Sequence, residues 1–468
     1  MPLRIAFIHP DLGLGGAERL VVDAALGLQA LGHQVDIYTS HHDPKHCFEE
    51  TRDGTLRVHY VRSPFPRSVR GKFHILCAHA RQLHLTRFLT RPGAPEHDVY
   101  FVDQLSTCVP ILRLLARRRV LFYCHFPDKL LANGAYVEGK MTRRGSVLKR
   151  AYRYPMDWLE ERTTGSADII LANSKFTSRV FKAYFPSIPT DPRVVYPGVN
   201  LAAYAPLVGD AAADPDIISV ASPRPTLMSL NRFEKKKNHA LAVDTFATLI
   251  KELASQGLSS HFQNPRLVIA GGYDPRVEDN MMTLVSLIDR AKAHALTYTI
   301  IKPSVSPVTI PPFNTTPSNP DVVFLLNFTM AQRAALLNAP STLALLYTPA
   351  NEHFGIGPVE GMACARPVIA CNSGGPTETL VDSPPEARTG WLLSPEPELW
   401  ARALVEIVRM PAEERAKFGE RSQARARSLF GMDAMARSLE EALEEAAAMG
   451  PVPTPASLRR SSEQMGHG

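Results

Sequence analysis

Residues 3–39 read LRIAFIHPDLGLGGAERLVVDAALGLQALGHQVDIYT. Leu3 to His9 is an apolar run of strand length, Gly13 to Gly16 a tight loop, Ala17 to Leu31 a helical pattern stopped by Gly32, and Val35 to Thr39 a second strand. Strand, glycine loop, helix and strand in that order make one unit of a parallel sheet, because parallel neighbours need a crossover long enough to hold a helix. The pattern repeats outward from there. Val99–Val102, Val120–His125 and Asp168–Ala172 are short apolar runs separated by helical stretches, and the series closes near Tyr196-Pro197-Gly198. An Ala-, Asp- and Pro-rich stretch from Ala202 to Pro225 reads as a linker. Thr226–Leu230, Arg266–Ala270, Val322–Leu325, Leu343–Tyr347 and Pro367–Ala370 then build a second parallel sheet, with Lys302 to Pro320 as a loop insertion. Leu404 to Ala448 is helical in pattern, and the tail after Gly450 is expected to be disordered. The fold class is therefore α/β, two Rossmann-like domains with parallel sheets and helices on both faces. The expected boundaries are 1–205, 206–425, and a C-terminal helix with its tail at 426–468. At 468 residues the chain is too long for one ordinary core, which agrees.

A composition of 45% hydrophobic and 21% charged residues excludes a fibrous or wholly disordered chain. Six widely spaced cysteines form no Cys-x-x-Cys pair, so neither a zinc framework nor a disulfide scaffold is expected, and a reducing compartment fits. The N-terminus shows no basic, then apolar, cleavable leader, and no apolar run approaches the roughly 18 to 20 residues that span a bilayer. The chain is expected on the cytosolic side, where the sequons at Asn314 and Asn327 are chance matches.

Charge is uneven. Residues 1–200 hold 28 Lys and Arg against 18 Asp and Glu, a balance of +10, while the remainder is −4. Arg62 to Arg91 carries seven basic residues and no acidic one, and Lys140 to Arg153 carries six with none. In the first stretch Phe73, Leu76, Ala80 and Leu83 recur at heptad-like spacing, with Leu85, Phe88 and Leu89 widening the stripe. Such a helix suits peripheral contact with an anionic membrane surface; the alternative is a helix packed on its own core beside solvated charges. Nucleic acid is not expected as a partner, since neither stretch carries a recognition motif.

The chemistry concentrates in a few strings. Glu352-His-Phe-Gly-Ile-Gly-Pro-Val-Glu360 follows an apolar strand and ends inside a helix, with Pro358 suited to the first turn. Glu352 and Glu360 can accept from sugar and ribose hydroxyls, while Phe354, Gly355 and Gly357 sit where the backbone would approach a diphosphate. Arg232 and Lys237, in Asn231-Arg-Phe-Glu-Lys-Lys-Lys-Asn238, follow the first strand of the second domain, where two cations can neutralise a leaving diphosphate without a metal. His125, in Tyr123-Cys-His-Phe-Pro-Asp128, ends a strand of the first domain and is a candidate to orient a sugar or take a proton; Asp128 accompanies it. Gly15 and Gly16 open a helix and can admit phosphate. That loop also partly imitates a dinucleotide fingerprint with Asp36 as ribose ligand, and as a bare turn it needs no ligand at all. Asn372-Ser-Gly-Gly-Pro376 either lines the nucleotide site or caps a helix. The cluster His41, His42, His46 and Cys47 reads as ordinary loop, Asp214-Pro-Asp216 lies in the linker, and no metal site is expected.

The glutamates seven residues apart, with the upstream Arg and Lys, resemble the family 4 glycosyltransferases. Gly15-Gly-Ala-Glu-Arg-Leu20, the His125 string, the Lys237 string and Asn372-Ser-Gly-Gly-Pro-Thr-Glu378 narrow the resemblance to the alpha-1,3/1,6-mannosyltransferases of dolichol-linked N-glycan assembly, over roughly residues 3–440. The resemblance implies the GT-B fold of two facing Rossmann-like domains and retention of anomeric configuration. It implies GDP-mannose as donor, with no cofactor, and a dolichyl-diphosphate chitobiose bearing one mannose as acceptor, at the cytoplasmic face of the endoplasmic reticulum. By motif position Glu352 would hold the mannose, Glu360 the ribose, Arg232 and Lys237 the diphosphate, His125 the reacting sugar, and Gly15 and Gly16 a phosphate. Other mannosyltransferases of the pathway are implied as partners. A different lipid or glycan acceptor, or a non-catalytic nucleotide-sugar-binding membrane scaffold, would fit the same motifs.

Overall fold

The computed structural model describes the chain except residues 70–72, 132–146, 207–208, 210–212, 258–261, 311–318 and 454–468. Within it the chain forms two compact units, residues 1–198 with 432–468, and residues 199–431. The first unit is a seven-stranded parallel sheet of β1 (Arg4–His9), β2 (Gln34–Thr39), β3 (Arg57–Tyr60), β4 (Val99–Asp103), β5 (Arg119–Cys124), β6 (Ile169–Ala172) and β7 (Arg193–Val194). Their order is β3-β2-β1-β4-β5-β6-β7. The second holds β8 (Thr226–Leu230), β9 (Arg266–Gly271), β10 (Tyr298–Ile301), β11 (Val322–Leu326), β12 (Thr342–Tyr347), β13 (Val368–Cys371) and β14 (Trp391–Leu393), ordered β10-β11-β9-β8-β12-β13-β14. Central strands read as unbroken apolar runs because helices cover both faces of each sheet. Phe7, Phe101 and Tyr123 lie in the first core, and Phe233, Phe246 and Trp400 in the second, all fully buried.

In each sheet the order reverses beside the first strand, between β1 and β4 and between β8 and β12. At such a reversal the crossovers leave to opposite faces, opening a crevice at the strands' C-terminal ends.

Three boundaries differ from expectation. The residues taken as linker belong to the second unit: Tyr204 is buried there, and the helix Pro215–Val220 is capped by the Asp214 carboxylate. Asp216 accepts from the backbone and hydroxyl of Ser304. The long C-terminal helical pattern divides into Pro397–Arg409, Ala412–Phe430 and Met432–Ala448. The last of these forms no segment of its own. It buries Met435, Leu439, Leu443 and Ala446 in the first unit's core against α1 (Gly16–Ala30), where Gly27 leaves room for Ala436. Residues 454–468, the tail expected to be disordered, lie outside the described residues.

Candidate active site

In the second unit the site starts from two neighbouring strands. After β8 the chain turns through Arg232 to Lys237, and the carbonyl of Lys237 is held by the Thr348 hydroxyl at 2.7 Å. That tie fixes the lysine beside the loop after β12, where its Nζ pairs with Glu352 Oε2. Burial pushes the Glu352 carboxyl up, but the Lys237 ammonium, helped by His353 and Lys236, outweighs it and holds the group below its ordinary value. Glu352 is thus a carboxylate with a cation on it.

Two glycine pairs build the Glu352 loop. A side chain at Gly355 or Gly357 would meet the Tyr347 ring at 3.0 and 2.8 Å, and Gly355 also has φ +87°. The space beside these glycines is therefore filled by Tyr347, whose hydroxyl interacts with Glu352; the sequence reading had assigned it to a ligand. Gly374 and Gly375 of the second glycine string pack against the backbone of Glu352 and Phe354, and the Gly375 N–H donates to the Glu352 carbonyl at 2.7 Å. That string braces the Glu352 loop. The Phe354 ring is buried against Phe430 at 5.7 Å between centroids.

Glu360 lies in α2 (Ile356–Ala363), buried, accepting from Arg333 Nη1 at 2.5 Å and from the Tyr204 hydroxyl at 2.7 Å. Burial and Glu360 raise the Tyr204 phenol far above its usual range, so it remains a donor. Neither Arg333 nor Tyr204 was expected; each lies far from the motif it serves. Arg232 stands apart from the Lys237–Glu352 pair, largely exposed and paired with Glu234 at 3.1 Å.

In the first unit His125 follows β5, and its Nε2 donates to Asp103 Oδ2 at 2.8 Å. Asp103, at the end of β4, is fully buried, and on its other side His9 Nδ1, at the end of β1, lies 3.4 Å away. Glu18, in the first turn of α1, reaches His9 Nε2 at 3.9 Å. Burial pushes Asp103 up, yet His125 and His9 together hold it at about 2. Burial likewise pushes His9 down, but Asp103 and Glu18 overcome it and raise it to about 9. The result is a line of four groups, Glu18, His9, Asp103 and His125, across three adjacent strand ends. The Asp103 carboxylate accepts from His125 Nε2 and so fixes the orientation of the imidazole. Only His125 of these was singled out from the sequence. The signal available for the others was position alone, a polar residue closing each of two apolar strands.

Gly16 opens α1 with space around it, whereas a side chain at Gly15 would strike the Glu18 carboxylate at 2.2 Å. Asp36 is occupied, accepting from His59 at 2.9 Å and facing Arg57, which removes it as a ribose ligand. Asp128 is tied to Arg153 at 3.1 Å in a partly buried ion pair, a structural role for both. No group of three or more His, Cys, Asp or Glu placed to hold a metal occurs among the described residues.

Two crevices at sheet reversals, one with a carboxylate–ammonium pair and one with a buried histidine relay, define a two-domain glycosyltransferase. The comparisons agree. Residues 14–203 match the model for Glycosyltransferase Family 4 and residues 318–425 that for Glycosyl transferases group 1. Sucrose-phosphate synthase from Thermosynechococcus elongatus superposes with a TM-score of 0.67 at 20% identity, covering 96% of this chain and all of that one. Anabaena HepE in complex with UDP and glucose gives 0.62 at 16% identity, covering 94% and 99%. These show the GT-B fold. The alpha-1,3/1,6-mannosyltransferase ALG2 of Rhizomucor pusillus is 45% identical over 445 residues, 95% of this chain and 92% of that protein. That of Saccharomyces cerevisiae is 39% identical, covering 94% and 84%. The chain belongs to the alpha-1,3/1,6-mannosyltransferase family of N-glycan precursor synthesis.

Proposed function

We propose that the chain transfers mannose from GDP-mannose, with retention, to a dolichyl-diphosphate chitobiose bearing one mannose, adding one alpha-1,3 and one alpha-1,6 linkage. The observation that carries this reading is the Lys237–Glu352 pair at the β8/β12 reversal. In this reading Lys237 and Arg232 take up charge as the GDP diphosphate leaves, Glu352 accepts from mannose hydroxyls, and Glu360 accepts from the ribose once Arg333 and Tyr204 yield. Same-face attack lets the leaving diphosphate take the acceptor proton, so no covalent nucleophile and no metal is needed. His125 Nδ1 accepts from a hydroxyl of the reacting sugar, and the backbone at Gly15 and Gly16 admits phosphate.

We also place the enzyme at the cytoplasmic face of the endoplasmic reticulum, held peripherally and near other mannosyltransferases of the pathway. No helix among the described residues is long and apolar enough to cross a membrane. The helix His74–Thr90 instead divides its apolar residues between two faces. Leu85 and Leu89 are buried and Phe88 packs beside Tyr38, against expectation, because they fall on the core face. Phe73, Leu76 and Leu83 are exposed. Leu114 and Leu115, in a turn packed on this helix, and Tyr154 and Trp158 are exposed too, on the unit that carries the +10 charge. Of the second basic stretch, Arg153 is buried, and Arg143 and Arg144 lie outside the described residues.

A donor panel tests the reading. Turnover with GDP-mannose in EDTA, and not with UDP-glucose, supports it; turnover only with another nucleotide sugar, or only with added magnesium, overturns it.

A further inference from the structure

The first unit contains a buried cation that the reaction described above does not use. Arg81, on the helix His74–Thr90, is only 7% exposed, yet among the described residues it makes no ion pair and no hydrogen bond, and its Nε is enclosed without a partner. Burial lowers its pKa, opposed chiefly by the Asp11 carboxylate on the loop after β1. Asp11 is already engaged, since Arg67 Nη2 reaches its Oδ2 at 2.5 Å. Two guanidinium groups, Arg81 buried and Arg67 exposed, therefore lie near one carboxylate beside the loop that runs into Gly13 and Gly15, an excess of one positive charge. A buried guanidinium without a counter-charge is costly, and chains keep one where a ligand supplies the missing anion.

We infer that Arg81, with Arg67, forms an anion site in the first unit that binds the diphosphate of the lipid-linked acceptor. The inference rests on the proposed acceptor class and adds the residues that hold it. Its chemistry suits a diphosphate because a guanidinium fork matches phosphate oxygens, and Asp11, drawn to Arg67, leaves Arg81 to the ligand. An anionic phospholipid headgroup offers the same oxygens, and the test separates the two.

The test uses the full chain as wild type, Arg81→Met and Arg81→Lys. KM is measured for a lipid-diphosphate trisaccharide and for the same trisaccharide on an uncharged alkyl chain, with GDP-mannose saturating. Arg81→Met is expected to raise KM at least tenfold for the diphosphate acceptor only, with KM for GDP-mannose unchanged and partial rescue by Arg81→Lys. Melting supplies a readout independent of transfer. Removal of an unpaired buried charge is expected to raise the melting temperature of Arg81→Met above wild type without ligand, and inorganic pyrophosphate is expected to stabilise wild type more than the variant. The melting outcomes hold even if the donor is another nucleotide sugar. A lower melting temperature for Arg81→Met with equal pyrophosphate shifts, or an equal rise in KM for both acceptors, overturns the inference. So does weaker binding to phosphatidylserine vesicles with acceptor KM unchanged, which assigns the site to a headgroup.

Discussion

The two units put polar chemistry at the same kind of place, the reversal of strand order beside the first strand, but they build it differently. In the second unit the groups sit on loops: Lys237 lies seven residues beyond the end of β8 and Glu352 five beyond the end of β12. In the first unit they close the strands themselves, since His9 and Asp103 are the last residues of β1 and β4. In the loop site Lys237 and Glu352 are partly exposed and Arg232 is largely so. The strand-end site is enclosed at His9 and Asp103, and its two ends, Glu18 and His125, are partly exposed. In the proposed mechanism the second unit handles the charge that moves in the reaction, whereas the first fixes one imidazole in one orientation.

The largest effect should come from the open site. Glu352→Gln and Lys237→Ala are each expected to lower kcat by on the order of 10²–10³-fold in protein that melting shows to be folded, read by product formation. Equal loss from both and from the double variant would show that the pair acts as one unit. Next comes the relay. Asp103→Asn frees the His125 tautomer and is expected to cost about 10²-fold in kcat while leaving KM for the donor in place, with an altered pH–rate profile. A loss confined to KM would refute the orienting role. Glu360→Ala leaves Arg333 and Tyr204 without their acceptor in a buried setting, and is expected to destabilise by about 3 kcal/mol in denaturant unfolding as well as to raise KM for the donor.

A pH test distinguishes the enclosed site from the open one. The folded pKa of His9 is raised from 6.5 to about 9, so its contribution to stability is complete below about pH 6.5 and is lost as pH rises through 9. Wild type should lose melting temperature between those values relative to His9→Gln. The Glu352 shift is downward, so its contribution is present above the ordinary glutamate range and lost only as the pH falls through its lowered value. The smallest effect is expected from Leu76→Ser and Leu83→Ser, a few-fold weaker partition into vesicles with little change in melting, whereas Leu85→Ser should unfold the helix's core face.

The same contrast governs what the sequence revealed. Ten strands were legible as apolar runs, and the four that were not, β3, β7, β10 and β14, are the four edges of the two sheets. An edge strand is half exposed and short, as in Arg57-Val-His-Tyr60 or Arg193-Val194, and carries no long apolar run to find. The open site was legible because each of its strings carries its own signal, glycines and a proline around Glu352 and Glu360 and a run of cations just past a strand at Lys237, although Lys237 and Glu352 are 115 residues apart. The enclosed relay was not, since His9, Asp103 and His125 meet only when β1, β4 and β5 pair. Arg333 and Tyr204 were missed because neither lies in such a string and each meets Glu360 only in the fold. Asn327 shows how position settles a motif: its side-chain amide donates to the Tyr273 carbonyl and its oxygen accepts from the Tyr273 N–H, so that sequon is spent on a turn. Asn314 lies outside the described residues.

Mannosyl transfer from GDP-mannose to a lipid-diphosphate trisaccharide in EDTA, followed by product mass for wild type and Glu352→Ala, tests the account most directly. Stepwise gain of two hexoses by wild type and none by the variant is the predicted result. No gain by wild type that still binds GDP-mannose, or equal gain by both proteins, would contradict it.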